Sequence, residues 1–162
     1  MAGTLIPSRK FEGIPICMLG GDSREVMLAK ELVQLGSDLR LVGFTAEGEL
    51  TKAQHFSDPL DAIAGARCII APLSNTDAAG RIYARPDGLG EPILLTELIP
   101  HMHRGLPLLI GVVKPVVREL GGQYGIRLIE TADIDEIAIL NAIPTAEGAI
   151  QVAMEETDIT IH

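Results

Sequence analysis

Short runs of aliphatic residues, each ending near glycine, proline or a small polar residue, restrict the fold of this chain more than any other feature. The runs are four to six residues long and contain few charges. Such runs are typical of strands covered on both faces of a parallel sheet. Five of them are evident, at residues 14–19, 39–44, 68–71, 108–112 and 126–129.

Helical patterns separate these runs. Over residues 23–35 the apolar positions have the spacing of a helix packed on a sheet, and Gly36 follows as a C-cap. A strand, a helix and a second strand within about thirty residues form a β-α-β unit with parallel strands and a right-handed crossover. Further helices are predicted at residues 58–66, 96–103, 115–120, 133–140 and 145–156, with Ile143-Pro144 dividing the last two.

The alternation predicts one α/β domain over residues 1–162, with residues 1–12 as a loose leader. The predicted fold class is an open, doubly wound, mainly parallel five-stranded sheet, Rossmann-like or flavodoxin-like, with helices on both faces. Aromatic residues make up only 3% of the chain and Trp is absent, so the core is expected to be aliphatic. Cys17 and Cys68 fall inside predicted strands and are expected to be buried, reduced thiols.

Charge and hydropathy exclude several classes of function. The formal net charge of −9 repels phosphate backbones, and no run of Lys and Arg offsets it, so nucleic-acid binding is not expected. No secretory leader is visible, and no run approaches the roughly 20 apolar residues of a membrane span. We therefore expect a cytoplasmic protein without a membrane partner. The histidines lack metal-ligand spacing, and neither a metal site nor a catalytic residue is predicted.

Ligands of open parallel sheets bind beyond the carboxyl ends of the strands. The segment after the first strand reads GGDSR at residues 20–24. A dinucleotide-binding turn would need a third glycine, and the Asp22 carboxylate stands where a pyrophosphate would lie. Gly21, Asp22 and Arg24 are instead candidates for contact with a carboxylate ligand. The structural alternative is that Asp22 or Ser23 caps the following helix and Arg24 is a surface charge.

Two more segments follow later strands of the predicted sheet. Ser74, Asn75 and Thr76 place hydroxyl and amide groups in one turn, ahead of a long loop of the kind that often binds ligands. A cap-and-turn cluster uses the same residue types and is the alternative interpretation. Lys114 comes just before a predicted helix and is interpreted as a solvated cation.

The last candidates lie in the segment NAIPTAEG at residues 141–148. Thr145 and Glu147 are predicted to cap the helix that follows Pro144. Gly148 lies inside that helix, and a glycine there is typical of a close approach by another backbone or a ligand.

Several of these segments resemble the A subunit of dipicolinate synthase. The matching stretches are GGDSR at 20–24, LVGF at 41–44, PLS at 72–74 and, most specifically, DEIAILNAIPTAEG at 135–148 and TDITIH at 157–162. The resemblance implies a role in making dipicolinic acid in spore-forming bacteria, by oxidation of the cyclic product of the dihydrodipicolinate pathway. The family's A subunit has an N-terminal α/β domain followed by a Rossmann domain for a nicotinamide cofactor, and a flavoprotein-like B subunit is its partner.

For this chain the resemblance implies a substrate-side domain without the cofactor half. The sequence stops at His162, where the family continues into a strand and a glycine-rich turn. No cofactor is therefore expected in this chain, NAD(P) is expected in the family's C-terminal domain, and the chain alone is not expected to catalyse the oxidation. A small dicarboxylate ligand is then expected to contact Gly21, Asp22, Arg24, Ser74, Asn75, Thr76, Thr145 and Glu147.

Two other functions stay open. The chain is alternatively a non-enzymatic assembly module that docks on a partner protein or forms a homodimer through its C-terminal helix. The docking surface would consist of the apolar residues Ile143, Ile150, Val152, Ala153 and Met154. The expectation from the sequence, however, is that the chain's own core buries them. A small nucleotide-binding protein is the third possibility, and the Asp22 carboxylate argues against it.

Overall fold

The computed structural model describes residues 10–74, 76–83 and 91–156. Its centre is a six-stranded parallel sheet, and a separate antiparallel pair of short strands lies beside it. The strands are β1 (Pro15–Leu19), β2 (Asp38–Val42), β3 (Gln54–Phe56), β4 (Cys68–Ile70), β5 (Arg81–Ile82), β6 (Ile93–Leu94), β7 (Pro107–Ile110) and β8 (Arg127–Glu130).

The order of the strands in the main sheet is β3-β2-β1-β4-β7-β8, and every neighbouring pair is parallel. The chain therefore builds outwards from β1 in one direction, returns to the other side of β1, and builds outwards again. This is the doubly wound arrangement that the alternation predicts. The helices are α1 (Ser23–Gln34), α2 (Pro59–Ile63), α3 (Leu95–Leu98), α4 (Pro115–Tyr124) and α5 (Asp135–Glu156).

Alternation along β1 divides the core into two layers. Ile16 and Met18 face a cluster that includes Ala29 and Leu32 of α1. Cys17 and Leu19 face the opposite cluster, which is larger and includes residues from α2, α3 and α4, such as Val117. Because both faces of β1 are covered, Cys17, Met18 and Leu19 are fully buried, as the aliphatic run predicts.

The sheet has one strand more than predicted. β3 is three residues long, lies at the edge of the sheet and pairs only with β2. Gln54 and His55 in β3 are exposed, so this strand has no apolar run by which sequence reasoning could find it. The other five strands of the main sheet are confirmed with their bounds shifted by one or two residues.

Two predicted helix boundaries are wrong. α4 continues through Gly121-Gly122 and ends at Gly125, whose φ of 68° suits a left-handed C-cap. α5 is one helix over Asp135–Glu156, so no break occurs at Pro144 and the predicted caps at Thr145 and Glu147 do not exist. Proline in a helix interior removes one hydrogen bond, and the Ala, Leu and Glu residues around it are strong helix formers.

The two cysteines lie on neighbouring strands, β1 and β4, and both are free thiols. Burial raises the pKa of Cys17 from its ordinary value near 9 to about 12. The raised pKa means that the neutral thiol stabilises the fold fully below about pH 9 and progressively less up to about pH 12, by about 1.4 kcal/mol per pH unit.

We therefore expect the stability advantage of the wild type over a Cys17→Ala variant to shrink as pH rises from about 9. The measurement is urea unfolding of both proteins in steps from neutral pH to about pH 11. Comparison of the two proteins cancels the titration of lysines and tyrosines that they share. An advantage independent of pH over this range would contradict the expectation.

Candidate functional site

The ligand cleft of this fold is expected where the chain reverses direction across the sheet. That point lies between β1 and β4, because the chain continues from β1 to β2 on one side and from β4 to β7 on the other. A cavity of about 350 Å³ opens beside this point, over the carboxyl ends of β4 and β7 and against the first turns of α1. Its size is within the range of small-molecule sites.

The wall of this cavity, which we call the ligand cleft, is mainly apolar. β4 and β7 supply its floor, α1 one side and the start of α5 the other. Among the described lining residues, the charged ones are in the first turn of α1. The lining residues are Arg24, Glu25, Leu28, Ile70, Ala71, Leu73, Leu109, Thr131 and Ile137.

The turn between β1 and α1 is held by two carboxylates. Asp22 is the N-cap of α1 and accepts a hydrogen bond from the backbone N–H of Arg24 at 2.9 Å. Glu25 reaches back and accepts from the backbone N–H of Asp22 at 2.8 Å, which completes a capping box. Gly21 has φ of 137°, and a Cβ there would collide with the Glu25 side chain, so glycine is required at this position.

Glu25 also joins the two loops that border the cleft. Its second oxygen accepts from the backbone N–H of Leu73, after β4, at 2.9 Å. Glu25 is only 6% exposed and is the sole buried charged residue in the described part of the chain. One carboxylate thus fixes the distance between the loop after β1 and the loop after β4.

Arg24 lies at the rim of the cleft and extends the same connection. Its guanidinium donates two hydrogen bonds to the Asp22 carboxylate, at 3.0 and 2.6 Å, and one to the Ser74 hydroxyl at 2.7 Å. The side-chain hydrogen bond from Arg24 holds the pKa of Asp22 well below its usual range, and the same bond raises the pKa of Arg24. Both charges therefore persist at all physiological pH values. The Arg24 side chain is still 51% exposed.

The loop after β4 also packs tightly against the end of β7. Gly111 donates from its backbone N–H to the carbonyl of Pro72 at 3.2 Å, and its own carbonyl accepts from Ala132 at 3.0 Å. A Cβ at Gly111 would overlap the carbonyl oxygen of Leu73. Backbone contact at this glycine therefore sets the position of the cleft floor.

A second cavity, of about 210 Å³, lies beside the ligand cleft and shares Leu73 with it. Its lining residues are Leu73, Ser74, Thr76, Val112 and Lys114. We call it the polar cavity, because two hydroxyls and an ammonium group line it. Lys114 is the N-cap residue of α4, and no side chain caps that helix.

The structure brings together four of the eight residues predicted from the sequence. Gly21, Asp22, Arg24 and Ser74 form one connected group at the rim of the ligand cleft. Thr76 lines the polar cavity, as Ser74 also does, and is not part of this connected group. Asn75 falls outside the described residues. Contact of these residues with a ligand stays a prediction.

Thr145 and Glu147 lie away from this group. Both are exposed on α5, and the cleft touches that helix at Ile137. Ten residues of helix separate Glu147 from Ile137, which corresponds to about 15 Å along the axis. A Cβ at Gly148 would meet nothing within 4 Å among the described residues, so no close backbone approach explains the glycine there.

The apolar residues of α5 are exposed, contrary to the expectation that the core buries them. Ile139, Ile143, Ile150 and Met154 are between 50% and 65% exposed and lie along one face at helical spacing. By length and composition α5 is also apolar enough to cross a membrane, and none of the spanning window is buried. Glu147 near its middle argues against a span, since a charge at the bilayer centre costs about 3 kcal/mol on insertion scales.

The main functional residue that the sequence analysis overlooked is Glu25. The pattern Asp22-x-x-Glu25 ahead of an apolar helix is a capping-box signal, so this part of the role of Glu25 could be predicted from the sequence. The hydrogen bond from Leu73 to Glu25 could not be predicted, because 48 residues separate the two partners. Nor does any local pattern indicate that Ile137 closes the cleft.

A doubly wound parallel sheet, with a cavity beside the point of reversal, defines a Rossmann-like α/β domain. The chain belongs to the family of N-terminal domains of the dipicolinate synthase A subunit, and the match to that family covers residues 15–132. The resemblance inferred from the sequence is thereby confirmed.

Similar proteins agree with this assignment. The A subunit of dipicolinate synthase from Bacillus subtilis (strain 168) is 28% identical over 154 residues, which is 93% of this chain and 50% of that protein. The crystal structure of the A subunit from Bacillus halodurans has a TM-score of 0.79 at 26% identity and covers 94% of this chain and 52% of its own. The crystal structure of the Bacillus subtilis protein has a TM-score of 0.75 at 27% identity, and the match covers 94% of this chain and 51% of that one. The chain thus spans about half the length of these relatives.

Proposed function

We propose that this chain is the substrate-side domain of a dipicolinate synthase type of oxidoreductase, and that its ligand cleft binds a small cyclic dicarboxylate. The observation that carries the proposal is a mainly apolar cleft beside the reversal point of the sheet, with the Arg24 guanidinium at its rim. The setting that fits is dipicolinic acid formation in the cytoplasm of a sporulating cell.

The chemistry of the cleft suits such a ligand. Ile70 and Leu109 on the floor offer apolar surface to a flat ring, and Leu28 covers one side. Arg24 makes charge-assisted, bidentate bonds to carboxylates readily. In the free protein the carboxylate that accepts these bonds from Arg24 is that of Asp22. The Nη1 of Arg24 forms no hydrogen bond within the described residues, so the guanidinium keeps donors for a ligand carboxylate.

We further propose that the chain binds no nicotinamide nucleotide, and that NAD(P) belongs to the half of the relatives that this chain does not span. The turn after β1 does not suit a pyrophosphate. Two carboxylates, from Asp22 and Glu25, already accept the backbone N–H groups of the turn. A phosphate would therefore meet two negative charges, and the N–H groups of Asp22 and Arg24 already have acceptors.

Calorimetric titration with pyridine-2,6-dicarboxylate tests the proposal. We expect the wild type to bind, and Arg24→Met to bind at least about tenfold more weakly, because a hydrogen bond to a charged group contributes about 1.5–3 kcal/mol. Asp22→Asn should bind more tightly than the wild type, since asparagine still caps the helix but no longer competes for Arg24.

Arg67→Met is the matched control for this titration. Arg67 is exposed and lies just before β4, at the amino-terminal end of that strand, whereas the cleft lies at the carboxyl ends, so its loss should leave the affinity unchanged. NADPH should not bind to the wild type, and NADP⁺ should not support turnover by this chain. Absence of dicarboxylate binding would contradict the proposal, and so would robust nucleotide-dependent turnover.

A second candidate function is assembly, and the exposed apolar face of α5 favours it. Ile139, Ile143, Ile150 and Met154 form a stripe of the kind that marks a protein contact. A dipicolinate synthase B subunit or a second copy of this chain is the partner we propose for it. A stable dimer in light scattering, together with no dicarboxylate binding, would favour assembly over ligand binding as the function of this chain.

A further inference from the structure

The positively charged side chain of Lys114 lines the polar cavity, and the ligand site proposed above does not use it. Lys114 is half-buried and forms no ion pair within the described residues. The other described lysines, Lys10, Lys30 and Lys52, also form no ion pair, but they are exposed to water, whereas Lys114 is partly covered. An unpaired, partly desolvated ammonium group favours the approach of an anion.

Nearby carboxylates are already engaged. Glu130 accepts from the backbone N–H of Val113 at 2.8 Å and pairs with Arg118 at 2.6 Å. Asp77 accepts from the backbone N–H groups of Ala79 and Arg81, both at 2.9 Å. The charge that would balance Lys114 is thus not supplied by these neighbours.

Two hydroxyls and a helix terminus complete a set of donors around the cavity. Ser74 accepts its bond from Arg24, so its own proton stays available to donate. The Thr76 hydroxyl oxygen is buried and has no hydrogen-bond partner in the described part of the chain. α4 begins at Pro115, directly after Lys114, and has no side-chain cap, so the positive end of its dipole is close by.

We propose that the polar cavity binds a second carboxylate, through Lys114, Ser74 and Thr76. This inference rests on the proposed function and deepens it, because it assigns the two carboxylates of one ligand to two places. One carboxylate pairs with Arg24 at the rim of the ligand cleft, and the other enters the polar cavity. Leu73 lines both cavities, and Ser74 lines the polar cavity while it bonds to Arg24, so the two cavities adjoin, and the proposal places one small ligand across both. The site then selects dicarboxylates over monocarboxylates.

The test compares pyridine-2,6-dicarboxylate with pyridine-2-carboxylate in calorimetry. The wild type should prefer the dicarboxylate. Lys114→Met should lower the dicarboxylate affinity by about tenfold or more and change the monocarboxylate affinity by less than about twofold. Lys114→Gln serves as a second variant that keeps a polar side chain. Lys52→Met is the control, since Lys52 is exposed and lies in the 3₁₀ helix Gly48–Lys52, away from both cavities.

Backbone amide shifts in NMR separate failure of this inference from failure of the proposed function. Shifts at Thr76 and Val112 on addition of dicarboxylate, lost in Lys114→Met, support the second carboxylate site. Shifts at Leu28 and Ile70 alone, with unchanged affinity in Lys114→Met, overturn it and leave the ligand cleft in place. Equal wild-type affinities for the two pyridine acids also overturn it. Shifts at Thr76 and Val112 without any at Leu28 and Ile70 support the polar cavity and contradict the ligand cleft.

Discussion

Replacing Gly111 with alanine is expected to destabilise the fold by at least about 3 kcal/mol, a loss at the upper end for overpacking substitutions. The added methyl group would overlap the carbonyl oxygen of Leu73, which is backbone and cannot rotate away. The loop after β4 would have to move from β7, and the bond from Gly111 to Pro72 would be lost with it. Urea unfolding of both proteins measures the difference.

Gly122→Ala is the matched control for Gly111→Ala. Gly122 lies inside α4, and a Cβ there meets no other atom within 4 Å. Alanine should stabilise the helix by up to about 1 kcal/mol, since glycine is the poorer helix former. A Gly111→Ala protein as stable as the wild type would show that the loop after β4 does not lie against β7 as described.

Replacing Glu25 with alanine is expected to cost about 2–5 kcal/mol of stability, because the N–H groups of Asp22 and Leu73 would lose their acceptor in a buried place. Glu25→Gln should cost less, about 1–3 kcal/mol, because the amide keeps one acceptor oxygen but turns a donor towards the other N–H. Both variants should also weaken dicarboxylate binding, since the loop that carries Ser74 is no longer held against Arg24.

Glu31→Ala is the control for Glu25. Glu31 is on the same helix, α1, but is exposed, so its loss should change stability by less than about 0.5 kcal/mol. Unfolding by urea gives the stabilities and calorimetry the affinities. If Glu25→Ala were as stable as Glu31→Ala, the carboxylate would not join the two loops.

Local patterns were sufficient where a feature depends on neighbouring residues. The Asp22 cap, the Asp58-Pro59 start of α2 and the aliphatic strands follow from side chains within a few positions of each other. The patterns failed at β3, which is short and exposed, and at α5, where a proline did not end the helix. In both cases a local preference was outweighed by pairing or by the surrounding helix formers.

By itself the sequence determined the doubly wound class of fold, the position of the candidate loops after β1 and β4, and membership of the dipicolinate synthase A family. These three properties depend on hydrophobic periodicity and on short motifs, which involve residues close together in the sequence. Only the tertiary structure decided which of those loops meet. The bond between Glu25 and Leu73, the contact of Gly111 with the Leu73 carbonyl and the closure of the cleft by Ile137 join residues far apart in sequence. Such contacts arise from the packing of strands and helices, and no spacing along the chain encodes them.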